Sequence, residues 1–330
     1  MIISRTPFRV SFFGGGTDYP SWYVEQGGAV ISTTIDKYCF IMLRNLPPFF
    51  DYNYRIRYFQ KETTKTIDEI QHPSVRECLR LMRVETGLEI IHSADLPAQS
   101  GLGSSSTFTV GLLNALYSLN YKMPTKRELA MNAIHVEQQM IREHVGSQDQ
   151  TAAAFGGLNK IEFGYPHHIL VRPIVMRPDK IERLQNHIML FFTGFSRTAT
   201  DIAGEQIKQI QNKTVQLHHM MALVEEALSI LLADHDSLDD FGKLLHEQWL
   251  IKRDMSHLIT NQKIDQIYEA GRAAGALGGK LLGAGGGGFM LFFVRPEDRH
   301  KLLATFHDLL HVPFRFDHMG SQIVYYGHHV

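Results

Sequence analysis

Asp149 stands in the stretch Gly146-Ser147-Gln148-Asp149-Gln150, a lone carboxylate among polar neighbours ahead of the small apolar run 151–155. A carboxylate so placed either orients a hydroxyl nucleophile and accepts its proton, or caps the helical segment that follows. A second chemistry-bearing stretch, "LPAQSGLGSSSTFTVGLLNAL" from Leu96, sets Gly101, Gly103 and the serines Ser104, Ser105 and Ser106 in front of an apolar helical run. Glycines let backbone N–H groups approach an anion, and the start of a helix offers unpaired amides and a positive dipole end. The serine hydroxyls can donate to phosphate or coordinate a hard cation such as magnesium, or they can cap the helix. Near the N-terminus "PFRVSFFGGGTDYP" joins Arg9 to three glycines, Thr17 and Asp18. A guanidinium there orients phosphate or a carboxylate and Asp18 accepts a sugar hydroxyl, or the same residues close a strand turn. "GGKLLGAGGGGFMLFF" places Gly283 and 285–288 between helical and strand-like residues, suited to a chain crossing or to ligand approach. No Walker loop is formed there, because Ala274 occupies the first glycine position and Leu281 follows Lys280 where Ser or Thr is required.

These stretches need elements to hold them. β-Branched and aromatic alternation predicts strands at 28–35, 38–43, 54–59 and 88–94, and so a largely antiparallel or mixed sheet in the N-terminal third. The period then changes: Val110, Leu113 and Leu116 predict a helix over 104–119. A second helix follows from Pro124, the Thr125/Glu128 box and an apolar face of Leu129, Ala133, Val136 and Met140. Beyond 165, where Pro166 and Pro173 suggest a boundary, strand-like residues from 187 precede helical material over 199–233 and 238–273 and a final apolar strand in "FMLFFV". The apolar positions Val215, Met220, Leu223, Ala227, Ile230 and Leu231 fit either domain core or the seam of a homodimer.

Lysine plus arginine number 33 against 34 acidic residues, so a formal charge of -1 gives no reason to expect nucleic acid or an anionic membrane as partner, and any anion site is local. Only Cys39 and Cys78 are present, which argues against a disulfide framework or thiolate metal cluster, and the 18 histidines are dispersed without metal-ligand spacing. The opening "MIISRTPFRVSFF" lacks the pattern of a cleaved signal, and no uninterrupted apolar 18-mer follows, so a soluble cytoplasmic protein is expected.

Taken in order, 7–19, 97–106 and 280–289 resemble the three motifs of the GHMP small-molecule kinase superfamily, the second being its Pro-x-x-x-Gly-Leu-Gly-Ser-Ser phosphate motif. The resemblance spans nearly the whole chain. "RTPFRVSFFGGGTDYP", "GSQDQTAAAFGG" and "GGKLLGAGGGGF" are most similar to the D-glycero-D-manno-heptose 7-phosphate kinase branch. It implies an α+β two-domain fold, with a ribosomal protein S5 domain 2-like ATP-binding domain over 1–165 and a ferredoxin-like C-terminal domain over 166–330. It also implies ATP and Mg2+, and a sugar phosphate phosphorylated at its anomeric hydroxyl, a step in making nucleotide-activated heptose. By position, Asp149 and Arg9 would be catalytic, and Arg9, Gly15, Gly16, Thr17, Asp18, Lys37, Arg197, Lys280 and Gly286 would face the sugar phosphate. Pro97, Ser100, Gly101, Leu102, Gly103, Ser104, Ser105 and Ser106, with Gly285 and Gly287, would hold the nucleotide, and Ser105 and Glu137 the metal. Gly15-Gly16 stands where galactokinase-like relatives carry Glu-His, which speaks against galactose. A kinase for a free sugar such as fucose or a uronic acid, and a sensor that binds ATP and sugar phosphate without transfer, are the competing readings.

Overall fold

The computed structural model describes residues 1–165, 168–194, 202–205, 207, 210–234 and 237–327, so the substrate position expected at Arg197 lies outside the described residues. The N-terminal strands build one large sheet around a single long strand. β1 (Ile2–Phe13) runs antiparallel to β2 (Gly28–Asn45), which joins the two strands expected at 28–35 and 38–43, since only Asp36 and Lys37 separate them and neither Gly nor Pro stands there. The first half of β2 pairs with β6 (Leu158–Gly164) and its second half with β5 (Leu88–Ala94), so β2 serves two neighbours along one edge. β3 (Tyr54–Arg57) lies parallel to β5 and pairs with β4 (Lys61–Thr64), whereas β7 (His168–Pro173) extends the sheet from β6.

Helices cover this sheet. α1 (Pro20–Gln26) and α2 (Pro73–Leu81) each begin on a proline, whose missing N–H is no loss in a first turn. α3 (Ser104–Leu119) packs on β1 and β2 with every residue from Ser106 to Tyr117 buried. α4 (Lys126–His135) starts on the expected Thr125, whose hydroxyl accepts the Glu128 N–H at 3.1 Å. The helix expected to reach Met140 instead widens into a π-turn over Val136–Ile141, closed by Arg142 in the left-handed region. α5 (Gln148–Phe155) follows.

The second sheet has the order β11 (Leu310–His311), β8 (Ile188–Phe192), β10 (Phe289–Val294), β9 (Ala276–Leu281), all antiparallel, and is the sheet of a ferredoxin-like domain. Helix Asp239–Met255 packs on β9, and a second helix, Gln262–Ala273, begins where Asn261 accepts the Ile264 N–H. The helical material expected over 238–273 is therefore divided into two helices. Among the described residues, helix Thr214–Leu232 is long and apolar enough to cross a membrane by length and composition. Its Leu217, Met220, Leu223, Val224, Ala227 and Leu231 are buried against β1, β2 and the Asp239–Met255 helix, while Val215 is exposed.

The two sheets are not the two halves of the chain. A division at 165 falls inside the β6–β7 hairpin, and the C-terminal β12 (Phe316–Asp317) and β13 (Gln322–Tyr326) return to pair with β2 and β1 of the first sheet. The cores also join, through edge-to-face contacts of Phe12 and Phe13 on β1 with Phe241 at 5.7 and 5.1 Å. Cys39 and Cys78 are both free and buried.

Candidate active site

Arg9 is buried in β1, yet its guanidinium reaches the start of α5: Nε and Nη2 donate to the two carboxylate oxygens of Asp149, each at 2.8 Å. Its remaining arm, Nη1, donates to the Gly101 carbonyl at 2.8 Å. One planar cation thus ties the strand, the acidic turn and the glycine–serine turn into a fixed arrangement. Asp149 spends its carboxylate on Arg9 although it sits in the first turn of α5, where it was also suited to cap. The side chain remains a quarter exposed on the cleft side.

Beyond β1 the chain turns back sharply. Gly14 takes a φ of 81°, and a Cβ there would lie 1.8 Å from the Ala29 carbonyl oxygen, so only glycine fits. The Thr17 hydroxyl donates to the Gly14 carbonyl at 2.8 Å, and Thr17 is wholly buried: it shapes the turn and does not face the cleft. Asp18 accepts the Gly16 N–H at 2.9 Å and the Gln148 N–H at 3.4 Å, which links this turn to α5. Burial first, and the neighbouring Asp149 second, push the Asp18 carboxyl above the usual carboxylate range.

The opposite wall is the start of α3. Gly103, left-handed at φ 77°, is the cap residue, and no serine caps the helix through its side chain. The hydroxyls are used elsewhere: Ser104 Oγ accepts the Gln99 N–H at 3.0 Å, Ser106 donates to Glu137 Oε2 at 2.8 Å, and Ser105 is exposed. The first-turn amides of 104–106 consequently keep no intrahelical acceptor, which is an anion-binding arrangement. Gly101 packs backbone to backbone against the C-terminal glycine turn, where a Cβ on Gly283 would lie 2.5 Å from Gly101 Cα.

Between these walls lies a cleft of about 280 Å3. Of the positions expected from sequence, it gathers Arg9, Gly15, Gly16, Asp18, Gly101, Gly103, Ser104, Ser105, Ser106, Asp149 and Lys280. Pro97, Ser100, Leu102, Gly285, Gly286 and Gly287 do not line it; Gly283 and Ala284 represent the C-terminal glycine turn. Lys37 points elsewhere, with Nζ donating to Asp36. Lys280 is buried and donates to the Phe12 carbonyl at 2.9 Å. Burial, with Lys252 and Arg9 nearby, pushes its ammonium well below the ordinary lysine range.

The expected metal pair is divided. Glu137 is fully buried behind Ser106, and the side chains it meets are Ser106, Gln150 and Thr109 rather than Ser105. Burial raises its carboxyl to about 7. Glu137 Oε1 has no hydrogen-bond partner among the described residues. No cluster of three or more His, Cys, Asp or Glu side chains suited to a metal occurs among the described residues. A single carboxylate with a free oxygen beside serine hydroxyls does fit magnesium, which keeps waters and substrate phosphates as its other ligands.

Sequence reasoning missed Lys252, Tyr19, Gln99, His144 and Gln148, all of which line the cleft. Lys252 left a readable signal: Leu245, Gln248, Trp249, Lys252 and Met255 share the buried face of one helix, so a lysine occupies an apolar period.

The GHMP kinases N terminal domain family matches residues 71–157, and the GHMP kinases C terminal family matches residues 224–308. D-glycero-alpha-D-manno-heptose 7-phosphate kinase of Campylobacter jejuni is 30% identical over 315 residues, 92% of each chain. The bifunctional fucokinase/GDP-fucose pyrophosphorylase of Arabidopsis thaliana is 25% identical over 90% of this chain, which spans 30% of that longer protein. A crystal structure described as a D-glycero-D-manno-heptose 1-phosphate kinase from Bacteroides thetaiotaomicron superposes with a TM-score of 0.80 at 23% identity, covering 99% of this chain and all of that one.

Proposed function

This chain belongs to the GHMP kinase family and is an ATP-dependent phosphotransferase, and we propose that it transfers the γ-phosphoryl group of ATP to the C1 hydroxyl of D-glycero-D-manno-heptose 7-phosphate, giving the 1,7-bisphosphate and ADP. The observation that carries the mechanism is the bidentate Arg9–Asp149 pair, held at 2.8 Å on both arms at the junction of the two turns. The sugar assignment is supported by the similarity to the Campylobacter jejuni enzyme and by Lys280, buried at the cleft, which suits a substrate that carries its own phosphate.

In this reading the nucleotide phosphates lie against the first-turn amides of α3, and the sugar lies over the Gly15–Asp18 turn. Arg9 fixes both oxygens of Asp149, so the carboxylate aligns the C1 hydroxyl with the γ-phosphorus. As the C1 oxygen bonds to that phosphorus, the bond from phosphorus to the β–γ bridging oxygen breaks and its electron pair leaves on ADP. The hydroxyl proton passes to Asp149 and from there to solvent. In a loose transfer state, placement contributes more than early deprotonation. Magnesium, when bound, supplies compact positive charge to the phosphate oxygens, and Glu137 with the serine hydroxyls of 104–106 would hold it.

The test is a reaction panel with ATP and magnesium containing heptose 7-phosphate, fucose and a uronic acid, resolved by phosphorus NMR. A new anomeric phosphate on heptose 7-phosphate is the expected product. Selective phosphorylation of a free sugar would move the substrate assignment, and nucleotide binding without transfer to any sugar would overturn the catalytic reading.

A further inference from the structure

Two lysines are buried at the base of the cleft, and only one has been given a partner in the chemistry above. Lys252, on helix Asp239–Met255, is 8% exposed and lines the cleft. Its Nζ donates to the Leu281 carbonyl at 2.9 Å and to the Gly283 carbonyl at 2.6 Å. Gly283 is the residue whose backbone abuts Gly101 of the glycine–serine turn, so Lys252 is anchored at the seam where the two glycine turns meet. Arg9, a second cation near that seam, has all its arms committed, two to Asp149 and one to Gly101.

We propose that Lys252 is a phosphate-binding residue of this cleft, holding the terminal phosphate of the nucleotide from the side opposite the start of α3. The proposal rests on the ATP reading above. A neutral amine has two N–H groups, matched by the two carbonyls; protonation adds a third, directed to the remaining side, which is the cleft. The charged groups acting on Lys252 are Arg9 from β1, Asp18 from the turn after it and Lys280 from β9, and Asp149 from α5 with Glu143 and His144 ahead of it line the same cleft. With Arg9 paired to Asp149, a charged Lys252 has Asp18 as its opposing group and Lys280 as a like charge beside it, a balance that an entering anion improves. Burial foremost, then Arg9, brings the free lysine down to about 7, with Asp18 opposing. A phosphate placed against it reverses that balance, so the anion arrives together with a proton.

The sign follows directly. At pH 8 the free amine is mostly neutral, and seating a γ-phosphate takes up a proton from solvent; at pH 6 the lysine is already charged and uptake disappears. Titration calorimetry of the full chain with magnesium and either AMP-PNP or ADP, run in buffers of different ionisation enthalpy, reads both affinity and proton count. The wild type takes up a fraction of a proton with AMP-PNP at pH 8 and less with ADP. Lys252→Met loses that uptake and binds AMP-PNP about 10- to 100-fold more weakly, with ADP affinity changed by about twofold or less. Lys252→Arg restores most of the AMP-PNP affinity without pH dependence between 6 and 8. Equal weakening of both nucleotides would mark a packing role and overturn the proposal, as would unchanged AMP-PNP binding in the methionine variant. Should the methionine variant fail to fold by circular dichroism, Lys252→Gln carries the same comparison. A wild type that binds neither nucleotide would overturn the ATP reading itself, which separates the two failures.

Discussion

Glu137 is a carboxylate that the fold carries inside before any metal reaches it. Burial raises its carboxyl from 4.5 to about 7, and the hydrogen bonds from Ser106 and Gln150, with the Thr109 hydroxyl nearby, only partly oppose that. Between those two values the folded chain holds a proton that the unfolded chain has released, so this group's contribution to stability falls as pH rises through the window and is gone above about 7. The displacement corresponds to roughly 3 kcal/mol. His72 works against it at the acid end, because burial lowers that imidazole to about 4 and the unfolded chain takes up the proton first. The difference between wild type and Glu137→Gln isolates the carboxyl. In metal-free buffer the variant should gain on the wild type by up to roughly 3 kcal/mol between pH 5 and 8, read from urea unfolding at a series of pH values. Parallel curves would mean that Glu137 is hydrated or paired in solution. At this scale the sequence was legible where a residue sits in a motif, as Arg9 and Asp149 do, and illegible where its role depends on a partner from elsewhere in the chain. Ser106 rather than Ser105 meets Glu137, because only the pitch of α3 decides which of three consecutive serines faces inward.

The elements explain why two glycine turns so far apart in sequence belong to one site. Each was readable alone as a loop between periodic segments, but the need for glycine at Gly101 lies in the other turn: its Cβ would stand 2.5 Å from the Leu282 carbonyl oxygen. Gly194 offers a control built into the same fold, with φ 84° against 83° at Gly101 and, among the described residues, nothing within 4 Å of an added Cβ. Gly194→Ala should carry only the backbone cost of a left-handed alanine, about 1 kcal/mol. Gly101→Ala should lose a further 1–3 kcal/mol or so and raise KM for ATP, because the two turns must separate to admit the methyl. Thermal unfolding of both variants beside ATP kinetics checks this; equal losses at the two sites would mean that the turns are not in firm contact. The serine cap that the sequence left open for α3 is not made, for a related reason. Gly103 ends the turn in a left-handed conformation and takes the cap position itself, which leaves the first-turn amides free for an anion.

At the scale of the molecule, the division into an N-terminal and a C-terminal half is what the order of motifs suggests and what the sheet refuses. Strand propensity identified β2, β5 and β10, since their apolar and β-branched residues announce themselves locally. It said nothing of β13 closing on β1, or of β12 reaching the middle of β2, because register between distant strands is written in tertiary packing and not in composition. The site inherits this interlacing: Arg9 and Asp149 come from the first sheet and its helices, Lys280 and Lys252 from the second. A fragment ending at residue 165 would expose the outer edge of β6, strip β13 from β1, and leave Phe12 and Phe13, both fully buried in the whole chain, without Phe241. Exposing two such rings costs about 3–6 kcal/mol, which is comparable to the whole stability of a domain. The fragment should therefore show collapsed, poorly dispersed amide resonances and no cooperative thermal transition, and adding residues 166–330 as a separate chain should restore both through the missing strands. A fragment that unfolds cooperatively on its own would show that the first sheet is self-sufficient and that the returning C-terminal strands only decorate it.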